Sequence, residues 1–182
     1  MTDVSIERHP AGGYRLRAES FVPRPRDEVF AFFSDAANLE RLTPPWLRFH
    51  ILTPMPIAMA VGRLIDYRLR IRGAPVRWQS EITAWNPPHD FADEARRGPY
   101  KFWRHQHRFV AEGEGTRVYD DVHYDVPGGR LVHWLLVGRD VRKIFEYRQR
   151  ALAEIFPPPP ARRAVPTQPS LNGGGGRFEV IW

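Results

Sequence analysis

Apolar and polar residues alternate along much of this chain, in runs short enough to be strands. Tyr14 to Val22 is the first such run, and Pro23 closes it. Pro25-Arg26-Asp27-Glu28 then reads as a helix start with acidic residues in its first turn. Val29, Phe30, Phe32 and Phe33 give that helix an apolar face. A second short helix opens at Asp35, carries Leu39 and Leu42, and stops at Pro44-Pro45. Strands are predicted over Leu47 to Thr53, Arg63 to Ile71, Val76 to Trp85, Phe91 to Arg97, Tyr100 to Phe109 and Thr116 to Val126. Pro54 to Gly62, with Met55 and Met59, reads as a mobile loop, and Asn86-Pro87-Pro88-His89 as a turn. From Leu131 to Phe156 the period becomes helical, with Trp134, Val137, Val141, Ile144, Phe145, Leu152 and Ile155 in one stripe.

The two strands before that helix hold the candidate chemistry. Side chains at i and i+2 of a strand share a face, so Trp103, His105, His107 and Phe109 point the same way. If Glu112-Gly113-Glu114-Gly115 closes a hairpin, Phe109 faces Val118, His107 faces Asp120, His105 faces Val122 and Trp103 faces Tyr124. A histidine opposite an aspartate can hydrogen-bond or pair as ions. Asp66, Glu81, Asp121 and His123 fall on the opposite face by the same alternation, where solvent or salt-bridge roles are expected. His133, early in the long helix, is expected at the surface.

Composition narrows the function classes. The chain has 182 residues, sized for one domain, and no cysteine, which removes disulfides, thiolate metal sites and cysteine nucleophiles. Gly-x-Ser-x-Gly, Gly-x-Gly-x-x-Gly and Walker motifs are absent, and the GGGG at 173–176 reads as a linker. Met1 to Pro10 has no apolar core of a signal peptide, and Leu131 to Val137 is too short to span a bilayer; a soluble, cytoplasmic protein is expected. The net charge is +6, carried almost wholly by arginine, since Lys101 and Lys143 are the only lysines. The arginines are spread along the chain and alternate outward at Arg68, Arg70 and Arg72, the pattern of a solvated sheet face. No specific nucleic-acid partner is assigned, and the basic surface is compatible with peripheral contact with an anionic membrane.

The element order is strand, two short helices, about six antiparallel strands and one long C-terminal helix, an α+β pattern. A curved antiparallel sheet has one face to bury, and the long amphipathic helix is the element large enough to cover it. This order resembles the helix-grip fold of the START/Bet v 1-like superfamily, also called SRPBCC. Leu42-Thr43-Pro44-Pro45-Trp46-Leu47, Ile65-Asp66-Tyr67, Gly98-Pro99-Tyr100, Trp103-Arg104-His105-Gln106-His107-Arg108-Phe109 and Phe145-Glu146-Tyr147-Arg148 are similar to strings in bacterial cyclase/dehydrase-like and coenzyme Q-binding-like members. The expected domain is 1–156, followed by a disordered Pro/Gly-rich tail over 157–182.

The resemblance implies a hydrophobic ligand held between sheet and long helix, a lipid, isoprenoid quinone or polyketide-like aromatic. The inward candidates are Tyr67, Trp78, Ser80, Phe91, Asp93, Trp103, His105, His107, Asp120 and Tyr124. The His105/His107/Asp120 set admits three readings. It can be a structural cluster holding the two strands in register. It can orient a ligand or supply acid/base chemistry to a cyclase, aromatase or dehydratase. Two histidines and a carboxylate can also compose a facial metal triad, but His-x-His is common without metal and Asp93 is the sole other inward carboxylate. No metal or cofactor is assigned. A binding or carrier protein is the first expectation, and a His/Asp acid-base cyclase the alternative.

Overall fold

The computed structural model describes residues 3–158; the expected tail falls outside them from residue 159 onward. Eight antiparallel strands form one sheet in the order β1-β2-β8-β7-β6-β5-β4-β3. They are β1 Asp3–Arg8, β2 Tyr14–Val22, β3 His50–Ile51, β4 Leu64–Ile71, β5 Ala74–Asn86, β6 Asp90–Arg97, β7 Phe102–Glu112 and β8 Gly115–Asp125. Helices α1 (Arg26–Ser34) and α2 (Leu39–Leu42) lie between β2 and β3. A continuous C-terminal helix follows β8, made of α3 (Gly129–Val132), a π-helical turn (His133–Val137) and α4 (Gly138–Ile155). This is the helix-grip architecture that the order of elements resembles.

The β7–β8 register is the predicted one: Phe109↔Val118, His107↔Asp120, His105↔Val122 and Trp103↔Tyr124. Glu112 pairs with Gly115, so Gly113-Glu114 makes a two-residue turn, and Gly113 sits at φ +59, where glycine carries no Cβ penalty. Along β8 every second residue is buried, as a strand with one covered face requires.

Four expectations are corrected. Strand β1 was hidden in the polar N-terminal stretch because only Val4 and Ile6 mark its inner face. Leu47 to Thr53 is mostly not a strand: Pro45–Leu47 forms a 3-10 turn, Arg48 adopts φ +45, and ladder pairing is confined to His50–Ile51. Trp134 leaves the helical stripe and is 76% exposed, because the π-helical turn rotates the helix face ahead of α4. His133 is buried instead, stacked on Tyr14 with ring centroids 3.3 Å apart and 2.9 Å from the Tyr124 hydroxyl.

The core is not evenly distributed under the helix. One cluster joins α1, the end of α4 and β7–β8 through Val29, Phe30, Phe33, Phe109, Val118 and Leu152. A second joins β2, β8 and the start of α4 through Tyr14, Leu16, Val122, Tyr124, Val141 and Phe145. The helix thus seats on the β2–β8–β7 half of the sheet. Over β4 and β5 the buried set shrinks to Leu47, Leu69 and Trp78, and there sheet and helix separate.

Candidate functional site

Between the β4–β6 side of the sheet and α4 lies a cavity of about 350 Å³. Its walls are largely aromatic and aliphatic: Tyr67, Leu69 and Ile71 from β4, Trp78 and Ile82 from β5, Phe91 from β6, Trp103 from β7, and Ile144 and Phe145 from α4. Trp46, Phe49 and Met59 stand on its loop side; Met55, the other methionine of the predicted loop, is exposed and does not line it. Trp78 and Trp103 meet edge to face at 5.6 Å, and Tyr67 stacks along Trp78 at 6.2 Å, so the wall is a set of mutually braced rings.

A linked polar set sits at one end, and Asn38, Thr43, Arg72, Asp140 and Lys143 also enter the lining. His105 and Asp93 are cross-strand partners on β7 and β6, and His107 and Asp120 on β7 and β8. His105 Nε2–H donates to Asp120 Oδ1 at 2.9 Å, and His107 Nδ1 lies 2.9 Å from the same oxygen. A carboxylate oxygen only accepts, so the His105 contact puts that ring's proton on Nε2, whereas His107 Nδ1 also lies 3.4 Å from Arg148 Nη2, which can only donate to it. His105 Nδ1, which then carries a lone pair, and His107 Nε2 face Asp93 Oδ2 at 4.0 and 3.7 Å. From the helix, Arg148 brings Nε to 3.3 Å from Asp120 Oδ2.

Asp93 is oriented from the sheet. Trp78 Nε1–H donates to Ser80 Oγ at 3.1 Å, and Ser80 donates to Asp93 Oδ1 at 3.1 Å. With the Ser80 proton committed to Asp93, the Tyr67 hydroxyl is the donor in its 2.5 Å contact with Ser80. An irregularity in the β5–β6 ladder between Ile82 and Ala84 re-aims this part of the strand.

The electrostatics follow from these contacts. Burial pushes the Asp120 carboxyl up, but Arg148 and then the two histidines outweigh it and hold Asp120 well below the ordinary carboxylate range. Burial likewise opposes ionisation of Asp93, and His107, His105 and Ser80 together bring its net shift downward. His105 is pushed down by burial and by His107, against the pull of both aspartates, which favours the neutral ring. Burial raises the Tyr67 hydroxyl far out of reach of titration, so it serves as a donor.

Eight of the ten expected inward residues line the cavity: Tyr67, Trp78, Ser80, Phe91, Asp93, Trp103, His105 and His107. Asp120 is buried behind the histidines and does not reach the wall. Tyr124 belongs to the core cluster under the start of α4, where it bonds His133. Asp66, Glu81, Asp121 and His123 are on the outer face, with Glu81 paired to Arg96 and Asp121 to Arg15. The sequence reading missed Arg148. A signal for it existed: Val141, Phe145, Arg148 and Leu152 are spaced as one helical face, and a charge on that face has to find a buried partner.

Residues 22–153 match the model of a protein family described as "Polyketide cyclase / dehydrase and lipid transport". No curated protein matches the chain. Among solved structures, protein Ms6760 from Mycobacterium smegmatis superposes with a TM-score of 0.65 at 15% identity, covering 84% of this chain and 96% of that one. A protein from Arthrobacter aurescens gives 0.63 at 15% identity over 82% and 91% of the two chains. Ara h 8.0201 gives 0.55 at 16% identity over 79% and 99%. At these identities the likeness is one of fold.

Proposed function

Because the chain belongs to the polyketide cyclase / dehydrase and lipid transport family, we propose that it binds and carries a flat, partly unsaturated hydrophobic molecule with one oxygen-bearing end, of the polyketide-like aromatic or quinone kind. The observation behind this reading is the make-up of the cavity: braced aromatic rings along its length and the buried set Ser80, Asp93, His105 and His107 at one end, with Arg72, Asp140 and Lys143 also in the lining. Such a site rewards a molecule that is apolar along its body and can hydrogen-bond at its tip. Burying roughly 200 Å² of ligand apolar surface would contribute about 5 kcal/mol before losses from ordering.

Native mass spectrometry of gently purified protein, followed by organic extraction, tests the reading. A co-purifying aromatic or quinone should be released by extraction and be missing from Trp103→Ala and Tyr67→Arg. Added naphthoquinone should quench tryptophan fluorescence in the wild type and far less in those variants. Failure of the wild type to bind any aromatic or quinone probe would sink the proposal.

The lone pair on His105 Nδ1 and the imidazole of His107, both residues of the cavity lining, favour one second reading, acid/base catalysis of cyclisation or dehydration on the bound molecule. His107→Ala separates the two: a carrier loses affinity, whereas a cyclase keeps binding and loses turnover.

We infer further that ligand exchange takes place at an anionic bilayer. Leu131, Trp134, Leu135 and Leu136 are all exposed, Arg130 and Arg139 flank them, and Val137 and Asp140 of the next turn line the cavity. An apolar patch ringed by arginine and continuous with the cavity suits the headgroup region of a membrane.

A further inference from the structure

The end of the cavity has an unbalanced arrangement. Asp120 fixes His105 from behind and lies 2.9 Å from His107 Nδ1, which leaves the far nitrogens of both rings and an Asp93 carboxylate oxygen turned toward one another. Separations of 4.0 and 3.7 Å are too long for hydrogen bonds, so none joins these three atoms. Arg148, the guanidinium facing the cluster, stands on its Asp120 side, with Nε 3.3 Å from Asp120 Oδ2 and Nη2 3.4 Å from His107 Nδ1. Three buried donor atoms turned toward one another with no hydrogen bond between them suit a cation.

We propose that Asp93, His105 and His107 are the protein ligands of a divalent first-row transition-metal ion. One donor atom from each residue lies within 4.8 Å of the other two. A tetrahedral ion with bonds of about 2.0–2.1 Å needs donors roughly 3.3 Å apart, so closure of at most about 1.5 Å, within the reach of side-chain rotation, completes the site. Two imidazoles and one carboxylate suit a borderline ion such as zinc or ferrous iron rather than calcium or magnesium.

The surroundings are those of a supported metal site. Asp120 accepts from the remote N–H of His105 and lies equally close to His107 Nδ1, and Ser80 holds the second oxygen of Asp93. All three ligands line the cavity, so the remaining coordination positions open onto it. An oxygen at the tip of a bound molecule would occupy one of them. The ion site stands on its own geometry and does not depend on the ligand proposed above.

The test uses the full chain, stripped with a chelator and dialysed against Zn²⁺, with bound metal counted by elemental analysis. Wild-type protein should take up one equivalent and melt at a higher temperature with Zn²⁺ present. Co²⁺ loading should give the visible absorption of a low-coordinate nitrogen–oxygen site. Asp93→Asn and His107→Gln should each weaken Zn²⁺ binding by far more than tenfold, and Asp120→Asn by about 10- to 100-fold. His9 and His123, whose rings lie 4.1 Å apart on the outer face, form the control: His9→Ala/His123→Ala should leave the cavity site unchanged. The proposal is overturned if stripped wild-type protein takes up no Zn²⁺, or if its Zn²⁺ is lost in the His9/His123 variant and kept in Asp93→Asn. The Co²⁺ spectrum and the Zn²⁺-dependent melting of wild-type protein read the site even if a variant fails to fold.

Discussion

Arg148 shows how one side chain can hold a site together from the far side of the fold. It is buried on α4, its guanidinium lies over the Phe33 ring at 5.0 Å, and it is the main counter-charge to Asp120. Replacing it with methionine keeps most of the volume but leaves Asp120 buried with only imidazole partners. Removing one member of a buried pair costs about 3–5 kcal/mol, whereas removing both is often near neutral. Arg148→Met should therefore destabilise by that order in urea unfolding, and Arg148→Met/Asp120→Asn should recover a large part. If the double variant is no more stable than the single one, Arg148 acts through packing rather than through Asp120. The His107–Asp120 pairing was legible in the sequence because a two-residue hairpin fixes every cross-strand neighbour. The place of Arg148 on the buried helical face was legible too, but its pairing with Asp120 was not, because nothing in the alternation of β8 tells which helical residue will come to rest over it.

At the scale of elements, the least foreseeable feature is the π-helical turn His133–Val137. A uniform 3.6-residue period would put Trp134 in the buried stripe and His133 at the surface, and the inserted residue exchanges them. Gly138 allows this: a Cβ there would come within 2.8 Å of His133 Cε1. The ring cannot step aside, being stacked on Tyr14 and bonded to Tyr124. Gly138 has ordinary helical angles, φ −59 and ψ −39, so on propensity alone alanine would stabilise the helix by about 1 kcal/mol. Overpacking of a fixed ring costs about 1–3 kcal/mol and should win. Gly138→Ala is thus expected to lower the unfolding midpoint, and Gly138→Ala with His133→Ala to restore part of it. A rise in the midpoint of the single variant would mean that His133 is free to move. The missed strand β1 has a simpler cause: six residues with two apolar positions are too few to reveal a period.

For the whole molecule, the asymmetry of the core decides where function can sit. The α4 helix presses on β2, β8 and β7 and stands away from β4 and β5, so the cavity opens on one side, beside the start of the helix. The element order made the helix-grip fold legible, since one long amphipathic helix has only one sheet face to cover. It did not reveal which half of the sheet the helix leaves bare, because that depends on the bulk of Phe30, Phe33, Phe109 and Phe145 in three dimensions. Among the described residues no helix is long and apolar enough to cross a membrane. Trp134 at 76% and Leu131 at 65% exposure are the most exposed large apolar side chains of the patch. Each arginine near an anionic surface adds about 1 kcal/mol, an attraction that salt screens, while the apolar insertion is indifferent to salt. Flotation with phosphatidylglycerol-containing vesicles should therefore recover the protein at low salt and progressively less as salt rises. Trp134→Ser/Leu135→Ser should abolish recovery while leaving naphthoquinone binding in the cavity intact, since neither residue lines it. Equal recovery with pure phosphatidylcholine vesicles would remove the role of the arginines. Undiminished recovery of the double variant would place the contact elsewhere on this basic surface and detach ligand exchange from the start of the helix.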